Sequence, residues 1–261
     1  MKLILSCVTA LAVLAIEAGP SFAQNNQWGT IKGQITWGAK AIPPAAVLKL
    51  DPANANTPPC LAANKGQAPP DETWIVNPKN LGIKNTFVWL VPTDKKPIAI
   101  HPNLQAIPAK PIEIDQPACH FIPHALALRE GQVLLVKNSA NFPHNFKYSG
   151  SPDKANNSGN NIIPPGGQFP LKLDADRLPI KTECSIHPWM NGWVRVFTHP
   201  YFAVTDDDGN FEIKDAPAGD FRLMIWHGSA GWAGGAKGKN GTPVNIKAGA
   251  VNNLGALPSF P

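Results

Sequence analysis

Two short segments, Pro143-His144-Asn145 and Cys184-Ser185-Ile186-His187-Pro188-Trp189-Met190, bring together one thiol, two imidazoles and one thioether. A thiolate and two imidazoles in a plane, with a weak and long axial Met, are the ligand set of a blue-copper electron-transfer site. Cys184, His187 and Met190 lie on one short loop, and His144 arrives from far upstream. Soft sulfur favours Cu(I), and imidazole suits either oxidation state. A rigid frame holding these donors between the two preferred shapes needs little rearrangement when an electron arrives or leaves. The pattern therefore points to redox chemistry on one copper ion rather than to hydrolysis.

The donors need a scaffold, and the chain reads as β structure. It has 28 prolines and 22 glycines, and its apolar runs are short, without a sustained helical period. Strands are predicted at 30–37, 46–50, 86–91, 133–137, 181–184, 192–197, 210–213 and 221–226. Alternation puts Ile180, Thr182 and Cys184 on one strand face and Lys181 and Glu183 on the other. A thiolate ending an inward-facing row sits at the rim of a core. Phe142 and Trp189 are placed to keep water from the metal. Asp208-Gly209 predicts a tight hairpin between Val204 and Phe211, and Pro164-Pro165-Gly166-Gly167 a second turn. The polar stretch 149–161 reads as a mobile loop.

At the N-terminus, Lys2, an apolar run over 3–16 and Ser21-Phe22-Ala23 form the pattern of a secretory signal peptide at 1–23, cut before Gln24. Leu5-Ser6 makes a poor lipoprotein box before Cys7. The expectation is a soluble periplasmic or secreted protein without a membrane span. Beyond the leader lie Cys60, Cys119 and Cys184. An oxidising compartment favours pairing, and an odd count leaves one thiol over. If Cys60 pairs with Cys119, the thiol left is Cys184; the other reading draws Cys184 into a disulfide and leaves no copper site. The net charge of +5 suits an acidic redox partner. Scattered lysines without interleaved aromatics argue against nucleic acid.

Residues 109–197 resemble a cupredoxin, the family of plastocyanin, amicyanin and azurin. The resemblance runs through Phe121-Ile122-Pro123, Leu126 to Val133, Asn138, Pro143-His144-Asn145, Pro165-Gly166-Gly167 and the segment from Cys184 to Val194. It implies a Greek-key β-sandwich with copper on His144, Cys184, His187 and Met190. It also implies that His187 exposes its ring edge as the electron port and that Asn145 ties the two ligand loops together. Pro188 and Trp189 would support the site from outside the ligand set. The flanks resemble a different module. Gly29 to Ile35, Thr205 to Ile213 and Ala216 to Leu223 look like a carboxypeptidase-regulatory-like, transthyretin-like sandwich. The expected fold is all-β: a cupredoxin domain at 105–198 inserted into a second small β-sandwich built from 27–100 and 199–258. A Cys60–Cys119 bridge would staple the two.

Several chemistries lack their residues. No Gly-x-Ser-x-Gly elbow, zincin motif or phosphate loop occurs. The His-x-His pairs of multicopper oxidases are missing, and a two-copper centre needs two neighbouring cysteines. The expected protein is not an enzyme. His120 and His124 lack an evident third ligand, and His101, His199 and His227 belong to no constellation. The run 206–208 lacks a further acid at calcium-loop spacing. Two other readings stand beside electron transfer. One is a carbohydrate- or protein-binding module with a structural copper site, and the other is periplasmic copper delivery.

Overall fold

The computed structural model describes residues 27–39, 41–44, 47–94 and 96–261. The leader expected at 1–23 lies outside the described residues. Four β-sheets and few helical turns make up the described chain.

The sheet that carries the site has five strands in the order Ala125–Arg129, Asn191–Phe197, Ile180–Glu183, His144–Ser149 and Ser158–Ile163. A three-stranded sheet of Ile112–Ile114, Leu134–Lys137 and Gln168–Leu171 shares its core. Ile114, Leu134 and Val136 from the smaller sheet meet Phe146, Ile180, Val194 and Val196 from the larger.

A second pair of sheets is built from the two ends of the described chain. Trp28–Trp37 lies between Asn210–Pro217, antiparallel, and Val251–Phe260, parallel. Phe87–Pro92 pairs with Phe202–Val204 and with Gly219–His227. Ile31, Ile35, Leu90, Phe211, Ile213 and Leu223 fill the space between these sheets.

Two strands join the halves, and their sequences show why. In Phe87–Pro92 the run Phe-Val-Trp-Leu-Val has no polar face. Val88 and Leu90 enter the second core, whereas Phe87 and Trp89 enter a third cluster with Ala125, Phe197, Met224 and Trp226. In Asn191–Phe197, Val194 and Val196 face the site-bearing core while Trp193 and Phe197 face that same third cluster. A strand covered on both faces loses its alternation and reads as continuous apolar sequence. Each large side chain buried there contributes roughly 1.5–3 kcal/mol.

Four local expectations are corrected. The strand expected at 46–50 does not form among its described residues, which begin at Val47: Val47 makes only an isolated bridge to Pro70, and 48–50 join no strand. Prolines at 43 and 44 withhold two backbone donors nearby. The stretch 149–161 is no open loop, because its second part begins the edge strand Ser158–Ile163, paired with His144–Ser149. An edge strand has to bury little, and only Ile163 of this one is buried, so its composition looks like a loop's. Asp208-Gly209 does turn the chain, with Gly209 at φ 74° and its N–H donating to Asp206 O at 3.0 Å. The flanking strands nevertheless belong to different sheets, so the turn is a corner and not a hairpin. Finally, Thr57–Ala63 forms a short helix where none was expected.

Candidate metal centre

Cys184 follows Ile180–Glu183 directly. Ile180, Thr182 and Cys184 are buried and Lys181 is exposed, as the alternation required. The loop then closes on itself. Met190 N–H donates to His187 O at 2.9 Å, and Cys184 N–H to Met190 O at 3.3 Å. His144 opens the neighbouring strand. Lys147 pairs with Glu183 across that ladder, so the antiparallel register carries Asn145 and His144 past the strand end and against the Cys184 loop.

The three strong donors converge. Cys184 Sγ lies 3.7 Å from His144 Nδ1 and 3.5 Å from His187 Nδ1. A nitrogen about 2.0 Å and a sulfur about 2.3 Å from one ion, subtending a tetrahedral to trigonal angle, stand about 3.5–3.7 Å apart. The residues therefore fit a single ion between them. His144, Cys184, His187 and Met190 are all buried, and Met190 packs in the same core as Cys184. The rings of His144 and His187 are 4.5 Å apart, with Phe142 5.2 Å and 5.7 Å from them. Trp189 meets His187 edge-on at 5.5 Å. Half-buried Phe142 and Trp189 thus wall the site from water, while Pro188 is exposed on the loop.

Without metal, burial sets the protonation of all three donors. Burial, then the charge of His187, lowers the pKa of His144 to about 3. Burial alone lowers His187 to about 4. Burial pushes the Cys184 thiol up. At neutral pH the imidazoles are ready to coordinate, and only the thiol has a proton to lose.

Asn145 links the two ligand loops. Its Oδ1 accepts from Ser185 N–H at 2.7 Å and Ile186 N–H at 3.2 Å, and from the Cys184 thiol at 3.3 Å. Its own N–H donates to Cys184 Sγ at 3.5 Å. Asn145→Ala strands two backbone donors and should cost about 1–3 kcal/mol. A lowered urea midpoint together with weaker copper retention against a chelator is the expected result; an unchanged midpoint would contradict the linking role.

Asn138 is a second positioning residue, whose role the sequence did not reveal. Its buried amide donates to Phe142 O, Ile163 O and Pro164 O at 2.9, 3.0 and 3.2 Å. These bonds pin the turn that delivers His144. The available signal was an Asn at a strand end, a residue type that organises turns through its side chain. His144 Nε2 has no hydrogen-bond partner among the described residues, so packing and the Nδ1 contact with Cys184 Sγ hold the ring.

One expectation drawn from resemblance is overturned. His187 does not present its ring edge to solvent; it is 1% exposed. Cys60 and Cys119 form a disulfide, and both sulfurs lie within 4.8 Å of an imidazole nitrogen of His187. Being bonded to each other, they are not free ligands. The segment before Cys60 is fastened beside this loop, with Asn56 Nδ2 donating to Ile186 O at 3.0 Å. Asn56 and the Cys60–Cys119 bridge thus lie against the histidine loop. Nothing local to the His187 loop announced that cover. Cys184 is the free cysteine among the described residues.

The remaining histidines do not assemble a second centre. His124 Nδ1 meets Glu72 at 3.5 Å, and among the described residues no third ligand joins them or His120.

No protein-family model and no curated protein matches the chain. Among solved structures, the chain is similar to a purple cupredoxin from Nitrosopumilus maritimus. The identity is 23%, covering 33% of this chain and 98% of that one, with a TM-score of 0.28. It is also similar to two amicyanin variants in the Cu(I) form, each at 18% identity and a TM-score of 0.29. Those likenesses cover 33% and 35% of this chain, and 82% and 86% of theirs.

Proposed function

We propose that this chain is an exported type 1 copper protein that passes single electrons through a Cu(I)/Cu(II) centre. His144, Cys184 and His187 supply the strong ligands and Met190 the weak axial one. The observation that carries this reading is the buried convergence of one thiol and two imidazole nitrogens within 3.7 Å. Bound copper would supply the one-electron couple. The chain's own part is to hold two neutral imidazoles, release one thiol proton and exclude water with Phe142 and Trp189. Asn145 keeps the two loops in register.

The domain arrangement belongs to the same proposal. A cupredoxin domain at 105–198 interrupts a carboxypeptidase-regulatory-like sandwich of 27–100 and 199–258. The pairing of Trp28–Trp37 with Asn210–Pro217 and Val251–Phe260 supports this division. A disulfide is consistent with an extracytoplasmic location, and no helix among the described residues is long and apolar enough to cross a membrane. The net charge of +5 favours an acidic redox protein as partner.

The test is direct. Metal-free protein titrated with Cu(II) should take up one ion and develop an intense thiolate charge-transfer colour, and Cys184→Ser should lose it. A colourless product with the Cys184 thiol intact would refute the reading.

A further inference from the structure

Arg195 is a buried cation for which the copper centre has no use. It lies between Trp193 and Phe197 on the strand face turned toward the second pair of sheets, and it is only 6% exposed. Its guanidinium stands 4.9 Å from the Trp89 ring centre and 4.8 Å from that of Phe197. Among the described residues Nε and Nη1 meet no hydrogen-bond partner, and no carboxylate forms an ion pair with it. Asp176 attracts it electrostatically, but that carboxylate is already engaged. It accepts from Ser151 N–H at 2.8 Å, Asn157 Nδ2 at 3.1 Å and Arg177 N–H at 2.6 Å, and from the Ser151 hydroxyl.

A buried charge is costly unless it is paired and hydrogen-bonded. Aromatic faces offset part of that cost but give its N–H groups no acceptor. The guanidinium forms part of the wall of a crevice of about 480 Å³, within the range of sites that hold small molecules. Of the six other polar side chains that line it, four can donate: Lys154, Arg177, Thr198 and His199. His199 Nδ1 accepts from Tyr201 N–H at 3.2 Å, which leaves the proton of the neutral ring on Nε2. Of the two acids in the wall, Asp176 is engaged as described, and Asp153 faces Arg177 at 3.9 Å.

We propose that this crevice binds a small oxyanion, a carboxylate or phosphate group, which pairs with Arg195. The flat guanidinium suits both groups. Arg195 lies five positions beyond Met190 on the strand Asn191–Phe197, about 16 Å along the chain. The anion site is therefore distinct from the metal centre and does not depend on it.

Thermal unfolding of the full-length protein at pH 7 decides the matter. Succinate and inorganic phosphate are compared with chloride at equal ionic strength. At least one of the two should raise Tm saturably, and which one identifies the group recognised. Arg195→Met should abolish the rise while leaving Tm in chloride unchanged or higher, because an unpaired buried cation has been removed. Arg195→Lys keeps the charge but loses the fork, and by calorimetry should bind the same anion at least tenfold more weakly; it serves if the Met variant fails to fold. No rise with either anion, or a rise that survives in Arg195→Met or a full-strength affinity in Arg195→Lys, overturns the proposal.

Discussion

Below about pH 6.5 the metal-free protein is expected to lose stability by up to about 5.5 kcal/mol per pH unit. Four imidazoles held out of water are responsible. His144 and His227 have pKa values lowered to about 3, and His187 and His199 to about 4. Burial is the main cause in each, and the charge of His124 adds to it at His227. In the unfolded chain the same groups titrate near the ordinary value of 6.5. Between the two values the unfolded state holds about four more protons than the folded one, so stability rises with pH and is fully present above 6.5. It falls as pH drops toward 4, and the slope flattens once the folded state protonates too. Each proton is worth about 1.4 kcal/mol per pH unit. Urea midpoints measured from pH 7.5 to 4.5 check this. Copper on His144 and His187 should hold the loaded protein together to lower pH, since binding to the folded state alone adds stability. A flat profile in the metal-free protein would mean that these rings already carry protons when folded.

Removing the Cys60–Cys119 bridge is the next largest expected perturbation. The cysteines are 59 residues apart, and releasing a loop of that length destabilises a fold by about 4 kcal/mol in the chain-entropy model. Cys60→Ser with Cys119→Ser should therefore lower the denaturation midpoint markedly. The loss should also reach the metal centre, because the bridge lies against His187 and anchors the segment that carries Asn56 and Cys60 over it. In the metal-free double variant, a thiol reagent should modify Cys184 at least tenfold faster than in the parent, under conditions where circular dichroism shows both folded. Equal rates would mean that the cover stays closed without the bridge, held by contacts such as the Asn56 bond to Ile186. Because His187 is covered, opening the bridge should speed electron exchange between a copper-loaded protein and small reagents, as the proposed function requires.

Along the chain, the donor set and its presentation could be read directly. Cys184, His187 and Met190 are local neighbours, and alternation over a few residues decides which side chains of Ile180–Glu183 point inward. The all-β character, seven of the eight expected strands and the turn at Asp208-Gly209 were legible for the same reason, since short-range sterics and a period of two act within a few residues. The sequence could not say that Ser158–Ile163 is a strand, because an edge position asks for almost no burial. Nor could it say which sheet each side of the Gly209 turn would join. The cover over His187 and the unpaired Arg195 in its crevice arise where segments far apart in sequence meet. Such contacts depend on which surfaces the whole chain leaves free to bury, a choice made only when the sheets pack together. Residue type and spacing determined which atoms can hold a metal; packing of distant segments determined who can reach it.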